Sequence, residues 1–100
     1  MNDALAKFGT GYYESKYPHL TVVKGQSFLA KGEKDRTNHW IVDSGNGKCK
    51  YENSDWITIK KGFHLAVHES DVMFRADELS EYNLGLIEIS LYVRPKDKLE

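Results

Sequence analysis

The sequence predicts an α+β domain, mainly antiparallel β. Hairpins over about 20–31, 39–52 and 56–68 and a terminal strand over 86–93 form a small barrel, roll or sandwich, with short helices near 3–17 and 71–83. Three observations predict it. Ile87, Ile89, Leu91 and Val93 alternate with Glu88, Ser90 and Tyr92 until Arg94-Pro95 ends the run. Turn sequences recur at Gly25-Gln26, Ser44-Gly45-Asn46-Gly47 and Lys61-Gly62. The segments around them carry apolar residues on both faces, as strands covered on two sides do.

Each element follows from its own residues. Leu5, Phe8 and Tyr12 recur at helical spacing behind Asn2 or Asp3, and Pro18 stops the run; Gly9 and Gly11 weaken a helix and leave an extended tyrosine-rich arm as the alternative. Gly25-Gln26 suits a two-residue turn that sets Val23 opposite Phe28 and Val22 opposite Leu29. In the second hairpin, Asp43 opposite Lys48 places Val42 against Cys49 and Trp40 against Tyr51 on one dry face. In the third, Gly62 supplies a left-handed residue between 56–60 and 63–68. Trp56, Thr58, Phe63, Leu65 and Val67 then share one face, and Ile57, Ile59, His64, Ala66 and His68 the other. Val72, Ala76, Leu79 and Tyr82 recur every three or four residues, which predicts the second helix, with Asp71 at its start and Gly85 beyond its end.

One hundred residues make a single domain, 1–100, with 96–100 expected to fray, and exclude a cofactor domain joined to a separate substrate domain. Fourteen basic and fifteen acidic side chains leave no global field toward nucleic acid or anionic lipid. The charge is lopsided along the chain: Lys24 to Lys61 holds eight basic and five acidic residues, whereas Gly62 to Val93 holds one and six. Cys49 is the single cysteine, so no internal disulfide forms. The amino terminus lacks the pattern of an export signal, and no apolar run reaches the length of a membrane span. A soluble, cytoplasmic protein is the expectation.

His64 and His68 share a face whether in strand or helix. With Glu69, Asp71 or His39 as a third partner they are the candidate metal ligands, although no H-E-x-x-H string accompanies them. Ser44, Asp43 and His39 do not make a hydrolytic triad, because His39 and Asp43 are about 13 Å apart along a strand. No phosphate-binding glycine loop is present. Lys31, Lys34, Arg36, Lys48, Lys50, Lys60 and Lys61, beside Trp40 or Trp56, form the basic strip that a single-stranded nucleic-acid-binding barrel would use. Glu33, Asp35 and Glu52 interrupt it. Tyr12, Tyr13 and Tyr17 are the candidate interface, since exposed tyrosines give large contact area at little entropic cost. Neither the aromatic signature of a cold-shock domain nor another small-β motif is matched.

The leading expectation is therefore a non-enzymatic protein-interaction or regulatory module of inhibitor or immunity type, with a protein partner or self-association and no cofactor. The alternatives are a small-ligand or metal-dependent enzyme using His64 and His68, and a single-stranded nucleic-acid-binding β-barrel.

Overall fold

In the computed structural model, which describes residues 12–13, 17–34 and 36–92, the regular structure of the described residues is entirely β. The strands are β1 (Tyr12–Tyr13), β2 (Leu20–Val22), β3 (Ser27–Ala30), β4 (Arg36–Ser44), β5 (Asn46–Tyr51), β6 (Ile57–Lys60), β7 (His64–His68), β8 (Val72–Ala76) and β9 (Leu84–Tyr92). They form two antiparallel sheets. In the first, β9 pairs with β4 on one side and with β1 and β2 on the other, and β7 lies beyond β4; the second runs β3-β8-β5-β6. Period-two patterning puts alternate side chains of each sheet into one shared interior. Trp40, Val42, Leu65, Val67, Leu84 and Leu86 come from the first sheet, and Ala30, Cys49, Ile59, Val72, Phe74 and Ala76 from the second. Trp40 meets Phe74 across that interior, centroids 5.0 Å apart and planes at 61°, the edge-to-face geometry that ring quadrupoles favour.

The three glycine turns are present and none of them closes a hairpin. Gly25, Gly45 and Gly62 all have positive φ (82°, 77° and 96°), as the turn sequences require. Each turn, however, carries the chain from one sheet to the other. β2 pairs with β9 while β3 pairs with β8; β4 pairs with β9 and β7 while β5 pairs with β8 and β6; β7 pairs with β4. The expected pairs Val22–Leu29, Val23–Phe28, Val42–Cys49 and Trp40–Tyr51 are therefore not cross-strand neighbours. Lys48 lies opposite Arg75 and Thr58 instead of Asp43. A true hairpin joins β5 to β6 through residues 52–56, where Ser54 N donates to Tyr51 O at 3.0 Å. The physical reason is that alternation fixes which side of a strand faces the core. It does not say whether the next strand lies beside it or across from it.

Three further expectations are corrected. Residues 72–76 form β8, not a helix: Val72, Phe74 and Ala76 are buried while Arg75 is exposed, and Leu79 is 91% exposed. Val72 and Ala76, four apart, share a face in either conformation, and Phe74 decides for the strand. Tyr12 and Tyr13 lie in a strand, opposite Leu91 and Ser90, which fits the extended arm and not the helix; the remainder of 3–16 and residues 93–100 fall outside the described residues. The terminal strand alternates as expected but with its faces exchanged. Leu84, Leu86, Glu88 and Ser90 point inward, and Ile87, Ile89 and Leu91 are half-buried on the outside.

That exchange gives the interior two unlike ends. Turns 23–26, 45, 61–63 and 77–83 close the end at which Val22, Val42, Leu84 and Leu86 pack. Loops 31–34, 52–56 and 69–71 close the other, and there the inward residues of β4 and β9 become polar.

Candidate ligand site inside the barrel

At that second end the β4–β9 register sets Asn38 opposite Ser90 and Trp40 opposite Glu88. Residues directly opposite in an antiparallel pair share a face, so all four side chains enter the interior together. Each is at most 6% exposed. Ser90 Oγ donates to Asn38 Oδ1 at 2.7 Å. Tyr17 N donates to Glu88 Oε1 at 3.3 Å, while Glu88 N donates to Tyr17 O at 3.0 Å, so the segment before β2 is stitched along β9 at this level. The Tyr17 ring packs edge-on against Phe28, 5.1 Å away, and roughly parallel to Trp40 at 6.2 Å. The Trp40 indole Nε1 is buried and has no hydrogen-bond partner among the described residues.

Such an arrangement is expensive as pure structure. An unmade hydrogen bond at a buried donor such as the Trp40 indole costs about 1–3 kcal/mol. An apolar ring of the same shape would avoid it. What the four groups offer is a donor, an acceptor pair and a carboxylate converging at one end of a hydrophobic barrel, the usual composition of a small-molecule site.

The sequence-predicted sites fall elsewhere. His64 and His68 both project from the outer face of β7, four residues and about 13 Å apart along the strand. They do not converge on one ion. His68 Nε2 lies 3.2 Å from Glu69 Oε2, whereas His64 Nε2 meets His39 Nδ1 at 2.9 Å. Asp71 instead holds the 31–32 loop, accepting from Gly32 N at 2.7 Å and Lys31 Nζ at 3.1 Å; these two bonds, the backbone one foremost, hold its carboxyl below the ordinary value. Tyr17 is half-buried against the core, and Tyr12 and Tyr13 lie along β9.

The basic strip is divided. Lys48, Lys50 and Lys60 stand on the outer face of the second sheet, with Lys50 Nζ 5.8 Å from the exposed Trp56 ring, above an open groove of about 590 Å³. Lys31 is paired with Asp71 and Arg36 with Glu33 at 3.4 Å, Lys34 and Lys61 are exposed in separate loops, and Trp40 is inside. Cys49 is wholly buried, and burial pushes its thiol up to about 11, which makes it a small core hydrophobe instead of a nucleophile. No helix of the described residues is long and apolar enough to cross a membrane.

Sequence reasoning missed Asn38, Glu88 and Ser90. The available signal was their frame: Glu88 and Ser90 continue the Leu84, Leu86 alternation, and Asn38 continues that of Val42 and Trp40.

No protein-family model and no curated protein matches this chain. Solved structures do resemble it. A cupin protein from Bacteroides fragilis superposes with a TM-score of 0.65 at 18% identity, over 93% of this chain and 74% of that one. A predicted oxalate decarboxylase from Thermotoga maritima gives 0.63 at 14%, over 84% and 79%. The cupin domain of an XRE-family transcriptional regulator from Enterobacter cloacae gives 0.58 at 15%, over 90% and 86%. At these identities the likeness establishes a shared fold. It also corrects the leading expectation: among proteins of this fold, which include one described as a predicted oxalate decarboxylase, the alternative of a small-ligand or metal-dependent enzyme fits better than an inhibitor or immunity-type module.

Proposed function

We propose that this chain, built on the cupin fold, takes up a small polar molecule at the Asn38–Ser90–Glu88 end of the barrel. Trp40 Nε1 donates to an acceptor on that ligand, Asn38 and Ser90 engage its hydroxyl or amide groups, and Glu88 supplies the acid–base group for chemistry at the site. The observation that carries this reading is the buried, unpartnered indole N–H set beside three other buried polar side chains. The interior donors are one carboxylate, an amide and a hydroxyl, a poor set for a transition-metal ion. All four histidines lie outside: His19, His64 and His68 are exposed, and His39 is on the outer face of β4. The described residues at this end thus supply hydrogen bonding and proton transfer to the ligand. The buried, unreactive Cys49 suits a cytoplasmic location.

A thermal-shift screen against neutral sugars, polyols, carboxamides and hydroxy acids tests the proposal. A ligand at a hundredfold excess over its Kd adds about 2.7 kcal/mol, which in a domain of this size raises the melting temperature by about 10 °C or more. The gain disappears in Asn38→Ala and shrinks in Trp40→Phe, which keeps most of the ring packing and removes the N–H. A panel that leaves the melting temperature unmoved, or hits that persist in both variants, overturns the reading.

A further inference from the structure

The pair His39–His64, on the outer face of the first sheet and independent of the barrel interior, has a chemistry of its own. β4 and β7 pair with Ile41 opposite His64 and His39 opposite Ala66, so the two histidines are diagonal neighbours on the outward face, close enough for long side chains to touch. Nδ1 of His39 lies 2.9 Å from Nε2 of His64, with ring centroids 5.1 Å apart and planes at 23°. Near-parallel rings that touch through nitrogen at that separation are head to head, not stacked face to face. One ring donates its N–H and the other presents a lone pair, so a single proton occupies the space between two imidazole nitrogens. A metal ion bound by both nitrogens would displace that proton and sit to one side of the line between them.

We propose that His39 and His64 form a binding site for a divalent transition-metal ion of square-planar or tetragonal preference, copper(II) or nickel(II). The separation selects the geometry. Two nitrogens 2.9 Å apart, each bonded to a metal at about 2.0–2.1 Å, subtend about 90° at it. This is the angle between adjacent ligands in a tetragonal ion. A tetrahedral ion such as zinc needs nitrogens about 3.3 Å apart. Copper(II) is bound tightest by nitrogen sites among the first-row divalent ions.

The local environment supports the assignment. His64 is exposed and has room to turn its lone pair toward the shared ion. Among the described residues no cluster of three or more His, Cys, Asp or Glu converges, so water or a solute donor completes the coordination on the solvent side. Bound metal would tie β7, at the edge of its sheet, to β4.

Calorimetric titration of the full, tag-free chain with copper(II) and with nickel(II) chloride tests the site. One ion per chain is expected. Affinity should fall roughly tenfold or more in His39→Ala and in His64→Ala, and stay unchanged in His68→Ala and His19→Ala. The copper adduct should show an electron paramagnetic resonance signal split by two imidazole nitrogens. His39→Gln, of similar size and polarity, keeps the test open if His39→Ala fails to fold. Wild-type affinity in the His39 and His64 variants, or no stoichiometric copper uptake by the wild-type chain, overturns the assignment. Either outcome leaves the barrel-ligand reading to its own test.

Discussion

Replacing Trp40 and Phe74 singly and together by Leu measures the contact on which the two-sheet arrangement turns. Both rings are 1% exposed, and they touch edge to face at 5.0 Å across the interior. Truncating a buried aromatic to Ala costs about 3–5 kcal/mol, so retaining a Leu should leave each single loss at about 2–3 kcal/mol. In a domain with about 5–15 kcal/mol of stability both single variants remain folded, with melting temperatures lowered by about 10–20 °C. An aromatic pair contributes about 0.5–1.5 kcal/mol beyond the area it buries, so the double variant should lose less than the sum of the singles by that amount. Urea unfolding followed by far-ultraviolet circular dichroism reads all four proteins without depending on tryptophan emission. A Trp40–Tyr51 cycle is the control. In the hairpin expected from the sequence, Tyr51 would be the cross-strand partner of Trp40 and would carry the coupling. Here Tyr51 pairs with Val72 in the opposite sheet, so that cycle should be close to additive. Coupling in the Tyr51 cycle and none in the Phe74 cycle would refute the arrangement.

Two further predictions follow from the turns and loops. Gly45→Ala should destabilise the chain well beyond the about 1–2 kcal/mol of a left-handed alanine, because its Cβ would collide with the carbonyl oxygen of Asn83; Gly62→Ala, with a φ of 96° but open space, should show only the backbone strain, and equal losses by thermal melting would contradict this. Asp71, held below its ordinary value of 3.8 by the Gly32 N–H and Lys31, favours the charged form in the folded chain. The stability it lends is therefore full above that value and lost as pH falls through the lower folded one. Asp71→Asn should lower the urea midpoint at pH 7 and converge with wild type between about pH 5 and pH 2, whereas an offset constant across that range counts against the Asp71 contacts.

The legible part of this molecule was the local part. Alternation marked β2 to β7 and β9 as strands and placed Trp40, Val42, Cys49, Leu65 and Val67 inward, and the glycines with positive φ marked where the chain turns. What the turns connect was not legible, because a tight turn between two inward-facing strands serves a hairpin and a sheet-to-sheet corner equally well. Ile57 and Cys49, paired across the true hairpin, are joined through Asn53-Ser54-Asp55, turn residues without a glycine and so a weaker signal than the three glycine turns. The site was hidden for a related reason. Ile87, Ile89 and Leu91 are the more apolar set of the alternation, yet β9 joins its neighbours with Leu84 and Leu86 inward, which draws Glu88 and Ser90 into the interior with them. Hydrophobicity alone misassigns a strand whose buried face is partly polar, and such strands are where a binding site is to be sought. The histidine pair split in the same way. His64 and His68 are four apart in sequence, but the partner that reaches His64 is His39 on the adjacent strand, a neighbour set by register.

Proton–nitrogen correlation spectra of the labelled protein, titrated with whichever sugar, polyol, carboxamide or hydroxy acid raises the melting temperature, address the barrel site most directly. The two tryptophans give two indole N–H signals, one from the interior and one from the exposed Trp56. The account predicts that the Trp40 signal moves saturably toward a hydrogen-bonded shift, together with the Asn38 side-chain amide, while Trp56 stays in place. Movement of Trp56 with Trp40 and Asn38 unchanged would put the ligand outside the barrel and contradict it.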